Sequence, residues 1–152
     1  MDLPHRALIH LVIMDSERML LDSRSSNLSS EPDLSIVYAD DDPQQGIRAC
    51  LDTFPEVAII DVELKGRDPF DIAAEIHSRQ KKTRFLFLGR WASDISIEQA
   101  LRVNAFGFLL KTEPFSILVD SIHRINRGDF CFSSEIENRV VYNRENHSSC
   151  VS

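Results

Sequence analysis

Residues 57–66 read VAIIDVELKG, in which four apolar residues are followed at once by a carboxylate, Asp61, and a glycine comes five residues later. A short apolar run bounded in this way indicates a buried strand. Runs of the same kind recur along the chain at residues 7–14, 34–39, 85–88 and 106–110. Near-continuous apolar strands are typical of a parallel sheet that is covered on both faces.

The segments between these runs have helical periodicity and recognisable start signals. Asp42-Pro43 and Asp68-Pro69 each place a capping acid before a proline, and Ser93 can cap the next segment. The last segment, PFSILVDSIHRINRG (114–128), has the clearest apolar stripe and ends at a glycine. The first, around SERMLLDS (16–23), has the weakest pattern, because a serine-rich stretch follows it.

This alternation predicts an α/β fold of the flavodoxin-like kind, a (βα)₅ doubly wound parallel sheet with strand order 2-1-3-4-5. A length of 152 residues with 43% hydrophobic side chains suits one well-buried core. We expect one domain over residues 5–128. Residues 129–152 are predicted to form a linker, with a short extended piece and then a helix from about Ser134.

Charge and cysteine usage exclude several classes of function. The net charge of −7 argues against a face built for nucleic-acid phosphates, so we expect no direct DNA binding by this chain. Three widely spaced cysteines indicate neither a disulfide framework nor a zinc site and fit a cytoplasmic protein. The apolar run at residues 7–14 is too short to span a membrane, and we expect no membrane association.

Polar residues follow the strands at the edge where open α/β sheets bind ligands, beyond the carboxyl ends of the strands. Asp15 follows the first strand, Asp61 the third and Lys111 the fifth. With the predicted order, strands 1 and 3 are neighbours, so the two carboxylates face each other and Lys111 approaches from the far side. Paired carboxylates favour a Mg²⁺ ion between them, and a carboxylate can act as the nucleophile in phosphoryl transfer.

Each of these residues also has a simpler interpretation. Asp61 can be a strand-end carboxylate that caps the next turn, and Asp15 can be the N-cap of the first helix. Lys111 can be a solvated lysine at the start of a loop. Phe108, in the apolar run that precedes Lys111, can be an ordinary core residue. A flavodoxin-like binder of small ligands is a further alternative, which the acidic site and the lack of a phosphate-binding loop after strand 1 disfavour.

Over about residues 7–128 the chain resembles the receiver domains of two-component response regulators. The matching features are Asp15, the strand-3 acid within IIDVELKG, and FGFLLK ending in Lys111. The resemblance implies that Asp61 is the phosphoacceptor and that Lys111 contacts the phosphoryl group. It also implies that Asp15, Asp61 and the backbone carbonyl of Glu63 bind Mg²⁺, and that Phe108 is the switch aromatic.

The resemblance also implies partners. GFLLKTEP followed by RGDFCFSSEI looks most like receivers that precede a LuxR/NarL-type helix-turn-helix domain. The expected function is therefore a signalling switch, rather than an enzyme, that takes phosphate from a histidine kinase or phosphotransfer protein and regulates a transcription output. A homodimer is possible through the last helix. By this resemblance, we expect the chain to end where the DNA-binding domain of such regulators would begin.

Two positions depart from the family pattern. Ser16 stands where a second acid is usual after strand 1, which predicts a weakened Mg²⁺ site unless Glu17 reaches in by a different backbone path. Gly89 replaces the hydroxyl residue that binds a phosphoryl oxygen, and one lost charge-assisted hydrogen bond is worth about 1.5 to 3 kcal/mol. These departures support an alternative, a degenerate receiver that serves as a phosphorylation-independent dimerisation or protein-binding module.

Overall fold

A computed structural model describes residues 7–140 of the chain. The strands are β1 Ile9–Met14, β2 Leu34–Asp40, β3 Val57–Asp61, β4 Arg84–Gly89, β5 Gly107–Leu110 and β6 Cys131–Phe132. The helices are α1 Arg18–Ser29, α2 Pro43–Thr53, α3 Pro69–Arg79, α4 Asp94–Arg102 and α5 Phe115–Asn126. A further helical segment, α6, covers residues 134–140.

The strands form one parallel sheet in the order β2-β1-β3-β4-β5-β6. The predicted α/β class and the order 2-1-3-4-5 are confirmed, and β6 extends the sheet beyond β5 through the pairs Gly107↔Cys131 and Phe108↔Phe132. Because β1 lies between β2 and β3, the carboxyl ends of β1 and β3 are adjacent at the point where the strand order reverses.

Alternate residues of the strands feed two separate cores, one on each face of the sheet. In β3, Ala58 and Ile60 belong to the core under α2, α3, α4 and α6, whereas Val57 and Ile59 belong to the core under α1 and α5. Both faces of β3 are therefore shielded from solvent, which explains why its apolar residues do not alternate with polar ones. Fully burying one such aliphatic side chain stabilises the fold by about 1.5 to 3 kcal/mol.

Helices α2, α3 and α4 begin directly after the predicted capping residues Asp42, Asp68 and Ser93. Asp42 accepts a hydrogen bond from the backbone N–H of Gln44 (2.9 Å), and Asp68 accepts one from Phe70 (2.8 Å). Ser93 and Ser96 cap α4 reciprocally, each side chain accepting from the other's backbone N–H at 3.0 Å. These local bonds satisfy N–H groups that the helices leave without internal partners.

Helix α1 is longer than its sequence pattern indicates, because it continues through the serine-rich stretch to Ser29. It has no side-chain cap, and it buries only Leu21 and Leu28. Packing of these two leucines, 1% and 0% exposed, holds the helix where intrinsic propensity does not. None of the helices within residues 7–140 has the length and apolar character needed to cross a membrane.

Candidate functional site

Two buried carboxylates lie side by side at the carboxyl edge of the sheet. Asp15 follows β1 and Asp61 ends β3, and the residues before them, Met14 and Ile60, are paired in the sheet. Asp15 is 2% exposed and Asp61 is 1% exposed. Each carboxylate accepts a hydrogen bond from the backbone N–H two residues later, Asp15 Oδ1 from Glu17 (2.8 Å) and Asp61 Oδ1 from Glu63 (2.9 Å).

Lys111 follows β5 and extends its side chain between these acids. Its Nζ lies 3.2 Å from Asp15 Oδ1 and 3.1 Å from Asp61 Oδ2, and the side chain is 3% exposed. The backbone N–H of Lys111 donates to the carbonyl of Gly89 at 2.7 Å, which anchors the end of β5 to β4. The structure thus brings together the three residues that the sequence placed at this edge. Asp15 is not the N-cap of α1, because Glu17 occupies that position.

Glu17 supplies a third carboxylate to the site. Its Oε1 lies 2.8 Å from Lys111 Nζ, and one oxygen from each of Asp15, Glu17 and Asp61 lies within 4.8 Å of the others. The backbone at Glu17 is extended (φ −87°, ψ 90°), so its side chain turns back toward the sheet before the helix begins. The sequence signal for this role is an acid two residues after Asp15, immediately before the helix.

Burial and charge shift the pKa values of these groups in different directions. Desolvation is the main reason that the pKa of Asp15 rises to about 6, with the nearby Asp61 carboxylate adding to the effect. Hydrogen bonds from Arg90 and Lys111 lower the pKa of Glu17 to about 2. Burial opposes the charged form of Lys111, but Glu17, Asp15 and Asp61 outweigh it and raise its pKa, so the ammonium stays charged.

Two arginines that were not predicted from the sequence to lie at the site contribute positive charge to it. The guanidinium of Arg90, just after β4, donates two hydrogen bonds to Glu17, from Nε to Oε1 at 2.8 Å and from Nη2 to Oε2 at 2.7 Å. Arg24, from the serine-rich part of α1, lies 3.6 Å from Asp15 Oδ2 and donates to the carbonyl of Lys111 at 3.2 Å. The only sequence signal for Arg90 is its place directly after a strand.

The oxygen Asp61 Oδ2 lies at the centre of the site and faces the Lys111 ammonium. It is buried, and within residues 7–140 it accepts no hydrogen bond, although Lys111 Nζ lies at ion-pair distance. A buried carboxylate oxygen that accepts no backbone N–H and lies next to two further carboxylates suits a hard cation with oxygen ligands, as Mg²⁺ is. The residues present therefore fit the predicted metal.

The two positions that depart from the family pattern have specific structural roles. The Ser16 hydroxyl accepts a hydrogen bond from the backbone N–H of Lys65 at 3.0 Å and so ties the loop after β1 to the loop after β3. At Gly89 an added Cβ would lie 2.8 Å from the carbonyl oxygen of Trp91, 2.8 Å from Val62 Cγ2 and 3.3 Å from Phe108 Cε1. The space for a side chain at residue 89 is therefore closed.

Phe108 lies directly beneath this closed space. It is 0% exposed and belongs to the core on the α4 and α6 face, with its ring centroid 6.4 Å from that of Phe87. This packing is what an ordinary core phenylalanine shows, and its role as a switch stays a prediction. Glu63 lies two residues after Asp61 in the loop after β3, and its backbone N–H donates to Asp61 Oδ1.

Comparison with known proteins agrees with this architecture. Residues 11–123 match the family described as the response regulator receiver domain. The chain is 29% identical to the transcriptional regulatory protein YvfU of Bacillus subtilis over 85% of this chain and 64% of that protein. It is 30% identical to the fimbriae Z protein of Salmonella typhimurium over 88% of this chain and 64% of that protein. The chain thus spans less than two thirds of the length of these relatives.

Solved structures share the fold at lower sequence identity. A two-component response regulator of the LuxR family from Aurantimonas superposes with a TM-score of 0.82 at 18% identity, over 91% of this chain and 99% of that one. The signal receiver domain of the response regulator NarL from Mycobacterium tuberculosis superposes with a TM-score of 0.76 at 24% identity, over 81% of this chain and 99% of that one. Since the family match covers most of the sheet and its helices, the chain belongs to the response regulator receiver domain family of two-component signalling.

Proposed function

We propose that this chain is a phosphorylation-dependent switch in which Asp61 accepts a phosphoryl group from a histidine kinase or a phosphotransfer protein. The observation that carries the proposal is the state of Asp61 Oδ2. This oxygen is buried, accepts no hydrogen bond within the described residues and lies 3.1 Å from a charged lysine. No backbone N–H occupies this oxygen, so it can act as a nucleophile toward phosphorus beside a fixed positive charge.

The transfer is a displacement at phosphorus. Asp61 Oδ2 forms the new O–P bond, the P–N bond to the donor histidine breaks, and the electron pair of that bond stays on the imidazole nitrogen. The product is an aspartyl phosphate. Lys111 can then pair with a phosphoryl oxygen as it now pairs with Asp61.

Mg²⁺ would be held by the carboxylates of Asp15, Asp61 and Glu17 and by the backbone carbonyl of Glu63. When bound, it would offset the negative charge that develops on the transferring phosphoryl group. Glu17 contributes the second negative charge that Ser16 cannot supply after β1, which supports a functional metal site in spite of the substitution. We propose a site that is weaker than one with two adjacent acids, because Glu17 must first leave Lys111 and Arg90.

Beyond the site, we propose that the switch regulates a transcription output and that residues 5–128 form the receiver. The segment proposed as its linker, residues 129–152, packs against the receiver through β6 and α6. Support comes from the relatives, YvfU and the protein LiaR of Bacillus subtilis, both named transcriptional regulatory proteins. LiaR is 21% identical over 93% of this chain and 66% of its own length. Homodimerisation belongs to the same proposal.

A degenerate receiver remains the second candidate, and Gly89 favours it. The space beside Gly89 is filled by Trp91, Val62 and Phe108, so residue 89 offers no hydroxyl to a phosphoryl oxygen and has no room for one. In that case the fold serves as a dimerisation or protein-binding module whose state does not depend on phosphate.

Phosphorylation with a small donor separates the two candidates. The protein is incubated with Mg²⁺ and acetyl phosphate or phosphoramidate and analysed by intact mass. The proposal requires the addition of one phosphoryl group that hydroxylamine removes and that Asp61→Asn does not acquire. Asp120→Asn, an exposed acid on α5 that pairs with Arg124, is the matched control and is expected to be phosphorylated like the wild type. Absence of any mass gain with these donors and with a cognate kinase would leave the module interpretation standing.

A further inference from the structure

We propose that Arg90 is a phosphoryl-binding residue that takes over the role of the hydroxyl missing at residue 89. The inference rests on the proposed function, since it concerns the same phosphorylated site. The guanidinium of Arg90 holds two oxygens of one carboxylate, Glu17, at 2.8 and 2.7 Å. A phosphoryl group presents oxygens in a comparable fork, and arginine is the side chain whose geometry matches such anions best.

The position of Arg90 places this fork at the reacting edge of the sheet. Arg90 follows Gly89, the last residue of β4, and β4 is the neighbour of β3 with Asp61 paired to Leu88. Glu17 Oε1 accepts from both Arg90 Nε and Lys111 Nζ, each at 2.8 Å, so the guanidinium and the ammonium converge on one oxygen. The Glu17 carboxylate raises the pKa of Arg90, and the charges of Glu63 and Asp61 act in the same direction.

The rest of the loop after β4 offers no equivalent donor. Residue 89 is a glycine and supplies no hydroxyl, and a Cβ there would lie only 2.8 Å from the Trp91 carbonyl oxygen. Ser93 is neutral, and its hydroxyl group is held in the cap of α4, where the oxygen accepts the N–H of Ser96. Trp91 and Ala92 bring no cation. Arg90 is therefore the side chain of this loop that can bind an anion at the site.

Arg90 is also free to exchange partners. Its side chain is 57% exposed, so moving the guanidinium from the Glu17 carboxylate to a phosphoryl group requires rotation about side-chain bonds in solvent rather than repacking of the core. A phosphoryl group on Asp61 carries more negative charge than the Glu17 carboxylate, and Asp61 ends the strand next to the one that Arg90 follows. Exchange of partners releases the loop after β1 from the loop after β4.

Binding of beryllofluoride, a stable phosphoryl mimic, tests the inference. Trp91 is the only tryptophan in the chain and is adjacent to Arg90, so its fluorescence reports on this loop. Titrations at saturating Mg²⁺ compare the wild type with Arg90→Ala, Arg90→Lys and Arg102→Ala. Arg102 is a matched control, because it is exposed and pairs with Glu98 away from the site. We expect Arg90→Ala to weaken beryllofluoride binding about 10-fold or more, Arg90→Lys to weaken it less, and Arg102→Ala to leave it unchanged.

Titration with Mg²⁺ alone distinguishes phosphoryl binding from a structural role. If Arg90 binds the phosphoryl group, Arg90→Ala frees Glu17 and tightens Mg²⁺ binding while it weakens beryllofluoride binding. If Arg90→Ala weakens the binding of both Mg²⁺ and beryllofluoride, Arg90 only supports the loop structurally. If the wild type and Arg90→Ala bind beryllofluoride equally well, Arg90 does not bind the phosphoryl group. Neither outcome contradicts the phosphorylation of Asp61. Failure of the wild type to bind beryllofluoride and to acquire phosphate at Asp61 would overturn the proposed function and this inference together.

Discussion

At the scale of single residues, the site balances its charges within the chain. Its three carboxylates are paired with three cations, and these residues are Asp15, Glu17 and Asp61 with Lys111, Arg24 and Arg90. Unpaired buried charges are very costly, so this arrangement allows acids to be buried in the absence of a metal. The same balance means that a bound cation competes with Lys111 and Arg90 for the carboxylates.

Asp15 is the acid for which this balance is least complete, and its pKa of about 6 lies above the ordinary 3.8. The folded state therefore holds a proton that the unfolded state releases between these values, and the wild type loses stability as the pH rises from about 3.8 to about 6. The Asp15→Asn variant has no ionisable group at residue 15, so it does not lose stability in this way as the pH rises. Without Mg²⁺, we expect this variant to be more stable than the wild type at pH 7, by up to about 3 kcal/mol.

Urea unfolding at several pH values between 4 and 7 checks this expectation, with pH 4 lying near the ordinary pKa of 3.8. The difference in free energy of unfolding between Asp15→Asn and the wild type is expected to shrink toward zero at the acid end. Asp120→Asn, which removes an exposed acid from α5, serves as the control and is expected to show little difference at any pH. An Asp15→Asn variant that is less stable than the wild type at pH 7 would contradict the argument.

The packing around Gly89 leaves little room for a side chain at this position. Gly89→Ser returns the hydroxyl typical of the family, but its Cβ would meet the Trp91 backbone carbonyl and Val62 Cγ2, each at 2.8 Å. We expect Gly89→Ser and Gly89→Ala to lose about 1 to 3 kcal/mol of stability, because the added atoms overpack this corner. Thermal or urea unfolding measures the loss. Unchanged stability of both variants would mean that the loop after β4 moves aside easily.

At the scale of elements, α6 packs against the core of the domain. Ile136 and Val140 are 0% and 4% exposed and belong to the same core as Phe108 and Ile97. Arg139 donates from Nη1 to the carbonyl of Ala92 at 2.6 Å and also pairs with Asp94 at the start of α4. The segment predicted from sequence as part of a linker therefore packs, over residues 134–140, against the α4 side of the domain.

Truncation of the buried side chain of α6 tests this packing. Ile136→Ala is expected to lower the free energy of unfolding by about 2 to 5 kcal/mol, as for other buried aliphatic residues. Glu137→Ala changes an exposed residue of the same helix and is expected to change stability by less than about 0.5 kcal/mol. Equal, small effects of the two variants in urea unfolding would show that α6 does not belong to the cooperative unit.

At the scale of the whole molecule, the loop after β4 connects the site to α6. Arg90 in this loop binds Glu17 at the site, and two residues later the carbonyl of Ala92 accepts from Arg139 of α6. The Trp91 carbonyl between them closes the space beside Gly89 and Phe108. A change in the partner of Arg90 can therefore reach α6 through two residues of backbone and the hydrogen bond from Arg139 to Ala92.

Amide hydrogen exchange can follow this connection in the intact chain. With Mg²⁺ and beryllofluoride, we expect exchange in residues 90–96 and in residues 134–140 to change together, because Arg139 holds the two segments to one another. Arg139→Ala should leave the response of residues 90–96 and remove that of residues 134–140. A response in the wild type that stops at residue 96 would exclude this path.

Much of the architecture was predictable because it depends on short stretches of sequence. The apolar runs specified buried parallel strands, and Asp42, Asp68 and Ser93 marked helix starts through bonds to N–H groups two or three residues away. The residues at the carboxyl ends of the strands followed directly from the strand order. For that reason the convergence of Asp15, Asp61 and Lys111 was predicted from sequence.

The tertiary structure alone decided which long side chains complete the site and how its edges are closed. Arg90 is 73 residues from Glu17, and Arg24 is 87 residues from Lys111, so no local pattern relates them. An arginine has many rotamers and can reach several acids, and the choice among them depends on how neighbouring strands and loops are placed. The closure beside Gly89 and the burial of Ile136 depend on the same placement. Local chemistry thus determined the fold and three of the site's residues, while packing between distant segments determined the charges around them.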